Sequence, residues 1–450
     1  MTTQAIQQKL SDSALWRWVA LIIVSVTMMF GYFFTDVMSP LEPLLTLAKD
    51  QGGLGWTSDE YGFFSGSYGF FNVFLLLLFF GGIILDKFGI RFTGVLSTVL
   101  MFSGALIKWW ALKNNFEGEL FGYQMQVIYA CLGFAIYGVG CEIAGITVSK
   151  VIVKWFTGHE LALAMGLQVG LARLGTAAAL SFALPYAKSM GEVAASVGLG
   201  ACLLCAGVVA FIVYNILDKK EDKATQATAT EPEPGFQFSD LKLLFTNKGF
   251  WYITLLCLMF YAGVFPFLKF ATKLMVIKYD VPEDLAGSIP SMLPYGTIVL
   301  TPIFGYIYDK IGKGATLMII GSILLTVVHT VFALPITSVG VAITMMLVLG
   351  VAFGLVPSAM WPSVPKIIPM QLLGTAYALI FYIQNIGLSM LPILIGKVNQ
   401  ANTDANGVID YTQTMTIFAV CGVCAIVISF LLLFEDKKKG YGLQKSNIQK

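Results

Sequence analysis

A series of long apolar runs, separated by short polar segments, most constrains the fold of this chain. A membrane-spanning helix needs about 20 apolar residues, and runs of that length occur twelve times in the 450 residues. Only 12% of the residues are charged, against about 25% in a soluble domain. We therefore predict an all-α membrane protein with about twelve transmembrane helices. The predicted spans are 17–39, 60–80, 93–112, 122–150, 161–186, 194–217, 249–273, 285–308, 315–336, 339–362, 370–397 and 412–434.

The loops between these runs alternate in charge. By the positive-inside rule, the loops rich in lysine and arginine face the cytoplasm. The basic set contains Lys87, Arg91, Lys150, Lys154, Lys219, Lys220, Lys310, Lys313, Lys366, Lys437, Lys438 and Lys439. The opposite set contains Asp50, Asp59, Glu60, Glu117, Glu119, Glu192, Asp280, Glu283, Asp284 and Asp404. Both termini are therefore predicted to be cytoplasmic. Short loops without an exterior glycosylation sequon favour a bacterial inner membrane.

A short charged loop occurs twice, at matching positions of two apolar halves. Its residues are Gly82, Asp86, Lys87, Gly89 and Arg91 in the first copy, and Gly305, Asp309, Lys310, Gly312 and Lys313 in the second. The doubling predicts a tandem repeat of two six-helix units that face each other across a cavity at the membrane midplane. The predicted divisions are a first repeat 1–217, a linker 218–248 with a short amphipathic stretch at 236–245, a second repeat 249–434 and a tail 435–450.

These two loops, called the signature loops below, have two interpretations. In the first, Asp86 meets the N-terminal amides of a neighbouring helix and a cation, and this contact latches the halves in one state. In the second, the charges only orient the loop across the membrane. The aspartates oppose the positive-inside bias, which favours the first interpretation.

Ionisable side chains within the spans are the main functional candidates, because a charge in hydrocarbon costs a few kcal/mol or more. Glu142 and Arg173 lie in consecutive antiparallel spans, at similar distances from the loop between them, so they share one depth near the membrane centre. They form either a structural ion pair or a dipolar site open to a cavity. The planar fork of arginine suits bidentate binding of a substrate carboxylate, which favours the dipolar site.

Further candidates are weaker. Asp36, near the exterior end of the first span, is either a hydrated interfacial carboxylate or a substrate or gating residue. Lys269 either binds substrate or extends its ammonium to the exterior interface. We expect His329 to be a packed residue. Polar or aromatic candidates for the cavity wall are Tyr137, Gln168, Trp361, Tyr382, Gln384 and Asn385, although core packing is the favoured interpretation for Tyr137 and Trp361.

Other classes of function find little support. The seven cysteines lie in or beside apolar runs, and the two histidines lie in different halves, so we predict no metal site and no cofactor. The sequence contains no nucleophilic triad or nucleotide-binding loop, which argues against an enzyme. A net charge of +2 is too small to indicate nucleic-acid binding. The predicted partners are a small-molecule substrate, the lipid bilayer and, if transport is proton-linked, protons; we expect a monomer.

The doubled loop resembles the signature of the major facilitator superfamily of transporters. Two segments are similar to its lysosomal dipeptide uniporter branch. They are 155–175, which reads W-F-x-G-x-E-L-A-L-A-x-G-L-Q-x-x-x-A-R-L-G, and 361–388, which contains W-P-S-V-P, L-G-T-A-Y and I-Q-N-I-G-L. The resemblance implies movement of short peptides by alternating access without an obligatory ion gradient. It also implies that Arg173 binds the peptide carboxylate and Glu142 its amino group. Lysosomal members carry an N-terminal sorting signal and work with an accessory subunit; residues 1–15 lack an acidic dileucine pattern, so the resemblance by itself does not predict that location or subunit.

Three hypotheses stay open at this point. The first is a facilitative or proton-linked carrier of dipeptides or similar zwitterions. The second is an organic-anion exchanger, in which Arg173 and Lys269 bind carboxylates. The third is a non-transporting sensor or scaffold, for which the short segment after Phe434 offers little room.

Overall fold

The computed structural model describes residues 10–156, 159–225, 241–369 and 372–446. Almost all of them are helical. Short 3-10 turns lie at Leu10–Asp12, Lys49–Gln51 and Ser67–Gly69, and a hairpin pairs β1 (Glu119–Leu120) with β2 (Tyr123–Gln124) in antiparallel register. The helices are α1 (Ala14–Asp36), α2 (Glu42–Thr46), α3 (Ser58–Gly66), α4 (Phe70–Phe74), α5 (Leu77–Lys113), α6 (Met125–Phe156), α7 (Leu161–Met190), α8 (Ala194–Thr225), α9 (Leu241–Thr246), α10 (Lys248–Tyr279), α11 (Glu283–Ala286), α12 (Ser288–Ile311), α13 (Gly314–Ala333), α14 (Val339–Ile367), α15 (Leu373–Ala401) and α16 (Thr412–Lys439).

The prediction of about twelve membrane helices is confirmed. Within the described ranges, 10 helices are long and apolar enough to cross a membrane, and the pair Ser58–Phe74 and Leu77–Leu85, bent by 58°, gives an eleventh when it is counted as one broken span. The twelfth is α12, which has 24 residues and carries Pro294 and Pro302. At about 1.5 Å per residue it is long enough to cross. Each predicted span overlaps one of these helices.

The two signature loops share a backbone feature that supports the repeat. At Gly89 α5 breaks with φ of 75°, and Gly312 ends α12 with φ of 75°. Because this left-handed region favours glycine, both loops need a glycine at the corresponding position. The predicted domain boundaries themselves stay predictions, and residues 226–240 of the linker lie outside the described ranges. Helix α9 overlaps the end of the predicted amphipathic stretch.

In this conformation the first signature loop contacts its own half. Arg91 pairs with Asp222 at 3.0 Å and with Asp218 at 3.8 Å, and Lys154 pairs with the same two aspartates at 2.7 and 2.6 Å. All four residues belong to the first six spans, so Arg91 does not connect the halves here. The side chain of Asp86, the proposed latch, lies outside the described part of the chain.

The second signature loop contacts the C-terminal segment. The backbone N–H of Lys313 donates to the Gln444 carbonyl at 3.1 Å, and that of Gly314 donates to the Leu443 carbonyl at 2.9 Å. Leu443 is buried, and the Asp436 carboxylate accepts from its N–H at 3.1 Å. Leu443 and Gln444 of the predicted tail therefore bind the turn between α12 and α13.

The two halves touch at one end of the bundle. We call the end with Gly89 and Gly312 the loop face, and the end with the β1–β2 hairpin and α11 the opposite face. Near the opposite face, a Cβ on Gly62 of α3 would lie 2.5 Å from the Pro392 carbonyl oxygen of α15. There too, Lys188 of α7 pairs with Glu283 of α11 at 2.6 Å. This close packing seals the opposite face.

Candidate functional site

A cavity of about 1130 Å³ lies between the halves. Its wall on α7 extends from Leu163, near the loop-face end of that helix, to Leu174, and on α12 it reaches Gly305. Helices α1, α3 and α6 of the first half, with the 3-10 turn after α3, and α10, α14 and α15 of the second half complete the wall. The cavity is therefore open toward the loop face and closed toward the opposite face.

Arg173 extends into this cavity among aromatic rings. Its guanidinium carbon lies 5.6 Å from the ring centre of Tyr32, 5.0 Å from that of Phe265 and 5.2 Å from that of Phe353. Rings attract a cation through their faces, which positions the guanidinium without using its in-plane N–H donors. Among the described residues, no carboxylate pairs with Arg173.

Glu142 lines the same cavity from α6. Its Oε1 accepts a hydrogen bond of 2.9 Å from the hydroxyl of Tyr68, and no lysine or arginine of the described chain pairs with it. The structural ion pair between Glu142 and Arg173 is therefore not formed in this conformation. Both side chains reach the same cavity, which is consistent with the shared depth that the sequence predicts.

Asp36 and Lys269 form an ion pair between the halves. Lys269 Nζ lies 2.6 Å from Asp36 Oδ1 and donates to the Thr35 carbonyl at 2.9 Å, while Thr176 Oγ1 donates to Asp36 Oδ2 at 2.8 Å. The hydrated-carboxylate interpretation of Asp36 is wrong, because the residue is buried. The interpretation in which Lys269 extends to the exterior interface is also wrong, because its ammonium turns inward to Asp36.

A second inter-half pair lies one helical turn beyond the first. Lys273 Nζ is 4.0 Å from Glu42 Oε1, and Glu42 is fully buried. Sequence reasoning missed Glu42 because it follows the predicted first span, between Pro40 and Pro43, and so resembled a loop residue.

The remaining predicted wall residues divide into two groups. Gln168, Trp361, Gln384 and Asn385 line the cavity. Tyr137 and Tyr382 are not among the residues that line it, which corrects the predicted wall. The Tyr137 hydroxyl donates to the Gly31 carbonyl, and the Tyr382 hydroxyl donates to the Val73 carbonyl of α4 at 3.2 Å. Each points to a neighbouring helix, which spacing along the chain does not reveal.

Two further buried ionisable side chains lie outside the described cavity wall. His329 is buried and its Nε2 lies 2.8 Å from the Gly263 carbonyl oxygen, as expected for a packed residue. Lys108, which the sequence analysis did not single out, is fully buried in the first half. Its place beside Trp109 and Trp110, at the end of a predicted span, made it resemble an interfacial lysine.

Comparisons with known proteins agree with this architecture. The sequence model of the Major Facilitator Superfamily matches residues 21–392. The lysosomal dipeptide transporter MFSD1 of Danio rerio is 28% identical over 83% of this chain and 78% of its own length.

Two solved structures show the same fold. A nucleoside transporter, NupG, aligns with a TM-score of 0.71 at 15% identity, covering 92% of this chain and 99% of its own. A POT family transporter in complex with 5-aminolevulinic acid aligns with a TM-score of 0.70 at 16% identity, covering 97% and 99%.

Proposed function

The chain belongs to the Major Facilitator Superfamily, and from that premise we propose that it carries dipeptides and similar small zwitterions by alternating access. It is a membrane transporter rather than an enzyme. The observation that carries the proposal is the pair of opposite charges, Glu142 and Arg173, that face one inter-half cavity without neutralising each other.

The chemistry of the two groups suits a molecule with an ammonium and a carboxylate. The guanidinium of Arg173 presents its N–H fork for a bidentate contact with a carboxylate. The carboxylate of Glu142 accepts from an ammonium while the Tyr68 hydroxyl orients it. Each charge is partly desolvated, so a ligand of matching polarity compensates both at once. The named function of the MFSD1 relative, a dipeptide transporter, supports a peptide as that ligand.

We propose facilitated diffusion as the mode of transport. Among the described residues, two carboxylates line the cavity, Asp36 and Glu142. Asp36 is neutralised by Lys269, and the substrate ammonium neutralises Glu142. Neither of these two carboxylates therefore requires a proton in the loaded carrier. Proton-linked transport of the same substrates is the second outcome that the test must distinguish.

The geometry disfavours an organic-anion exchanger. That hypothesis uses Lys269 together with Arg173 to bind carboxylates, yet Lys269 is committed to Asp36 and to the Thr35 carbonyl. Glu142 would also repel a second carboxylate in the same cavity.

The orientation in the membrane is part of the proposal. The loop face carries the basic loops and by the positive-inside rule lies in the cytoplasm, with the opposite face outside or in a lumen. The MFSD1 relatives are lysosomal by name, whereas the sequence predicts a bacterial inner membrane; that location stays a prediction. The monomeric state also stays a prediction from the sequence.

Blocked peptides test the substrate assignment. A neutral dipeptide, its N-acetyl form and its C-terminal amide are compared as competitors of labelled dipeptide uptake. The proposal expects both blocked forms to compete weakly, because each leaves one charge of the site unpaired. Equal competition by the free and the N-acetylated peptide would remove Glu142 from the site and overturn the zwitterion assignment.

A further inference from the structure

Lys108 is a buried lysine for which the proposed transport site has no use. Its Nζ lies 3.8 Å from the ring centre of Phe34, 4.4 Å from that of Phe134 and 5.6 Å from that of Phe64. It also donates to the Phe34 carbonyl oxygen at 3.4 Å. No carboxylate within the described ranges pairs with it. Rings stabilise a cation, but a lysine this deep in a membrane protein normally has a counter-ion.

Lys108 and Lys269 reach the same helix end from opposite halves. Lys108 donates to the carbonyl of Phe34, and Lys269 donates to the carbonyl of the next residue, Thr35, and to the side chain of Asp36. Helix α1 ends at Asp36, so these carbonyls belong to the negative end of its dipole. Lys108 lies on α5, in the same half as Asp36, whereas Lys269 lies on α10 of the other half.

The position of Asp36 makes the two lysines alternatives. Opening the opposite face must separate α1 from α10, which withdraws Lys269 from Asp36 Oδ1. Oδ2 keeps its hydrogen bond from Thr176, because Thr176 is on α7 of the same half. A buried carboxylate left without a cation is strongly destabilising, so a cation of the first half that can pair with Asp36 stabilises a carrier that cycles without protons.

We propose that Lys108 is a positioning residue that takes over Asp36 Oδ1 when Lys269 withdraws, so that this carboxylate stays paired in both conformations. The first half then moves as a rigid body, and only the Lys108 ammonium leaves its rings for the carboxylate. This inference rests on the alternating access of the proposed function. It explains how an inter-half ion pair can break during facilitated diffusion.

The surroundings leave few competing groups. The rings packed on Lys108 from α1, α3 and α6 are uncharged, and the charged groups bound at the same end of α1 are Asp36 and Lys269. Tyr61 donates its hydroxyl to the Lys269 carbonyl and Tyr137 donates to the Gly31 carbonyl, while Tyr32 lines the cavity together with Asp36. These phenols are neutral at physiological pH, so they cannot replace a cation.

The test measures opening without substrate. Spin labels at Leu120→Cys and Val408→Cys, exposed on the opposite face of each half, report the distance between the halves in a protein whose seven native cysteines are replaced. In Lys108→Met, Asp36 must be uncharged before Lys269 can leave. The long-distance population should therefore fall about tenfold at neutral pH and recover in acid. Lys108→Arg should retain it, and Asp36→Asn combined with Lys108→Met should restore it at neutral pH.

Two results would overturn the inference. One is a Lys108→Met protein that opens as the unsubstituted protein does at every pH. The other is a loss of opening that neither acid nor Asp36→Asn restores, which is the mark of a merely structural lysine. If Lys108→Met does not fold, Lys108→Gln is compared with and without Asp36→Asn under the same criteria. Absence of dipeptide uptake together with the expected pH-dependent opening would contradict the proposed substrate and leave this inference standing.

Discussion

Glu142 and Arg173 face one cavity from consecutive helices, yet neither forms an ion pair within the described parts of the chain. Glu142 is oriented by the Tyr68 hydroxyl, and Arg173 by three rings that contact its faces. Both contacts position a charge without neutralising it. The site is therefore organised for a ligand that supplies the two opposite charges itself.

Replacing Glu142 by glutamine should weaken binding of the substrate ammonium and leave binding of the substrate carboxylate unchanged. Glu142→Gln keeps the shape of the side chain and its contact with Tyr68 but loses the charge. The concentration of free dipeptide that gives half-saturation should therefore rise about tenfold or more. The N-acetylated dipeptide should be affected little. Competition against labelled uptake measures both values. Equal losses for the two peptides would show that Glu142 acts on structure rather than on the ammonium.

Tyr68→Phe is the matched control for that variant. It removes one neutral hydrogen bond, which contributes about 1 kcal/mol, and leaves the carboxylate in place. We expect a loss of roughly fivefold or less for the free dipeptide. A larger loss than that of Glu142→Gln would place the tyrosine, not the carboxylate, at the centre of recognition.

Arg173→Lys should impair transport although the positive charge is kept. Lysine lacks the planar fork that binds a carboxylate bidentately, and its compact ammonium does not stack on Phe265 and Phe353 as a guanidinium does. We expect dipeptide uptake to fall about tenfold and the C-terminal amide to compete nearly as well as the free peptide. Uptake at the original rate would show that charge alone is sufficient.

Removing Lys269 should shift the carrier toward the conformation that is open at the opposite face. Lys269→Met removes the cation that joins Asp36 to the second half, and losing one partner of a buried pair costs about 3–5 kcal/mol. Spin-label distances between Leu120 and Val408 should lengthen. The exposed pair offers the comparison: Lys188→Met removes a surface interaction with Glu283 that contributes about 1 kcal/mol or less. Equal shifts in the two variants would contradict the importance of the buried pair.

Gly62 should be required for closure of the opposite face. A Cβ there would lie 2.5 Å from the Pro392 carbonyl and 2.6 Å from the Cα of Gly396, so Gly62→Ala forces α3 and α15 apart. The same substitution at Gly340, where the nearest atom lies at 3.7 Å, is the control. We expect Gly62→Ala to lengthen the spin-label distance and slow uptake, while Gly340→Ala does neither. Normal uptake by Gly62→Ala would show that the close contact is dispensable.

The fold could be predicted from the sequence because the position of a membrane helix depends on local composition. Each of the twelve predicted spans overlaps a helix or, at 60–80, a bent pair of helices, and the doubled glycine of the signature loops marks the same turn twice. The sequence predicted a shared depth for Glu142 and Arg173, because depth along a helix follows from residue number, and both side chains line one cavity. Properties that depend on direction around a helix or on the partner half were not predictable in this way. Tyr137 and Tyr382 point to neighbouring helices, and Asp36 meets Lys269 across 233 residues of chain.

Lys108 shows the same limit from another side. A lysine at a span end beside two tryptophans resembles an interfacial residue in any one-dimensional description. Its burial depends on three phenylalanines from α1, α3 and α6, which only the packed first half brings together.

Uptake of a labelled neutral dipeptide into proteoliposomes, with no ion gradient, tests the central claim most directly. The Arg173→Ala protein is measured beside it. We predict that uptake saturates, that other dipeptides inhibit it by competition, and that the Arg173→Ala substitution abolishes it. Uptake only under an inward proton gradient would keep the substrate and contradict facilitated diffusion. No uptake under either condition would contradict the assignment of dipeptides as the substrate.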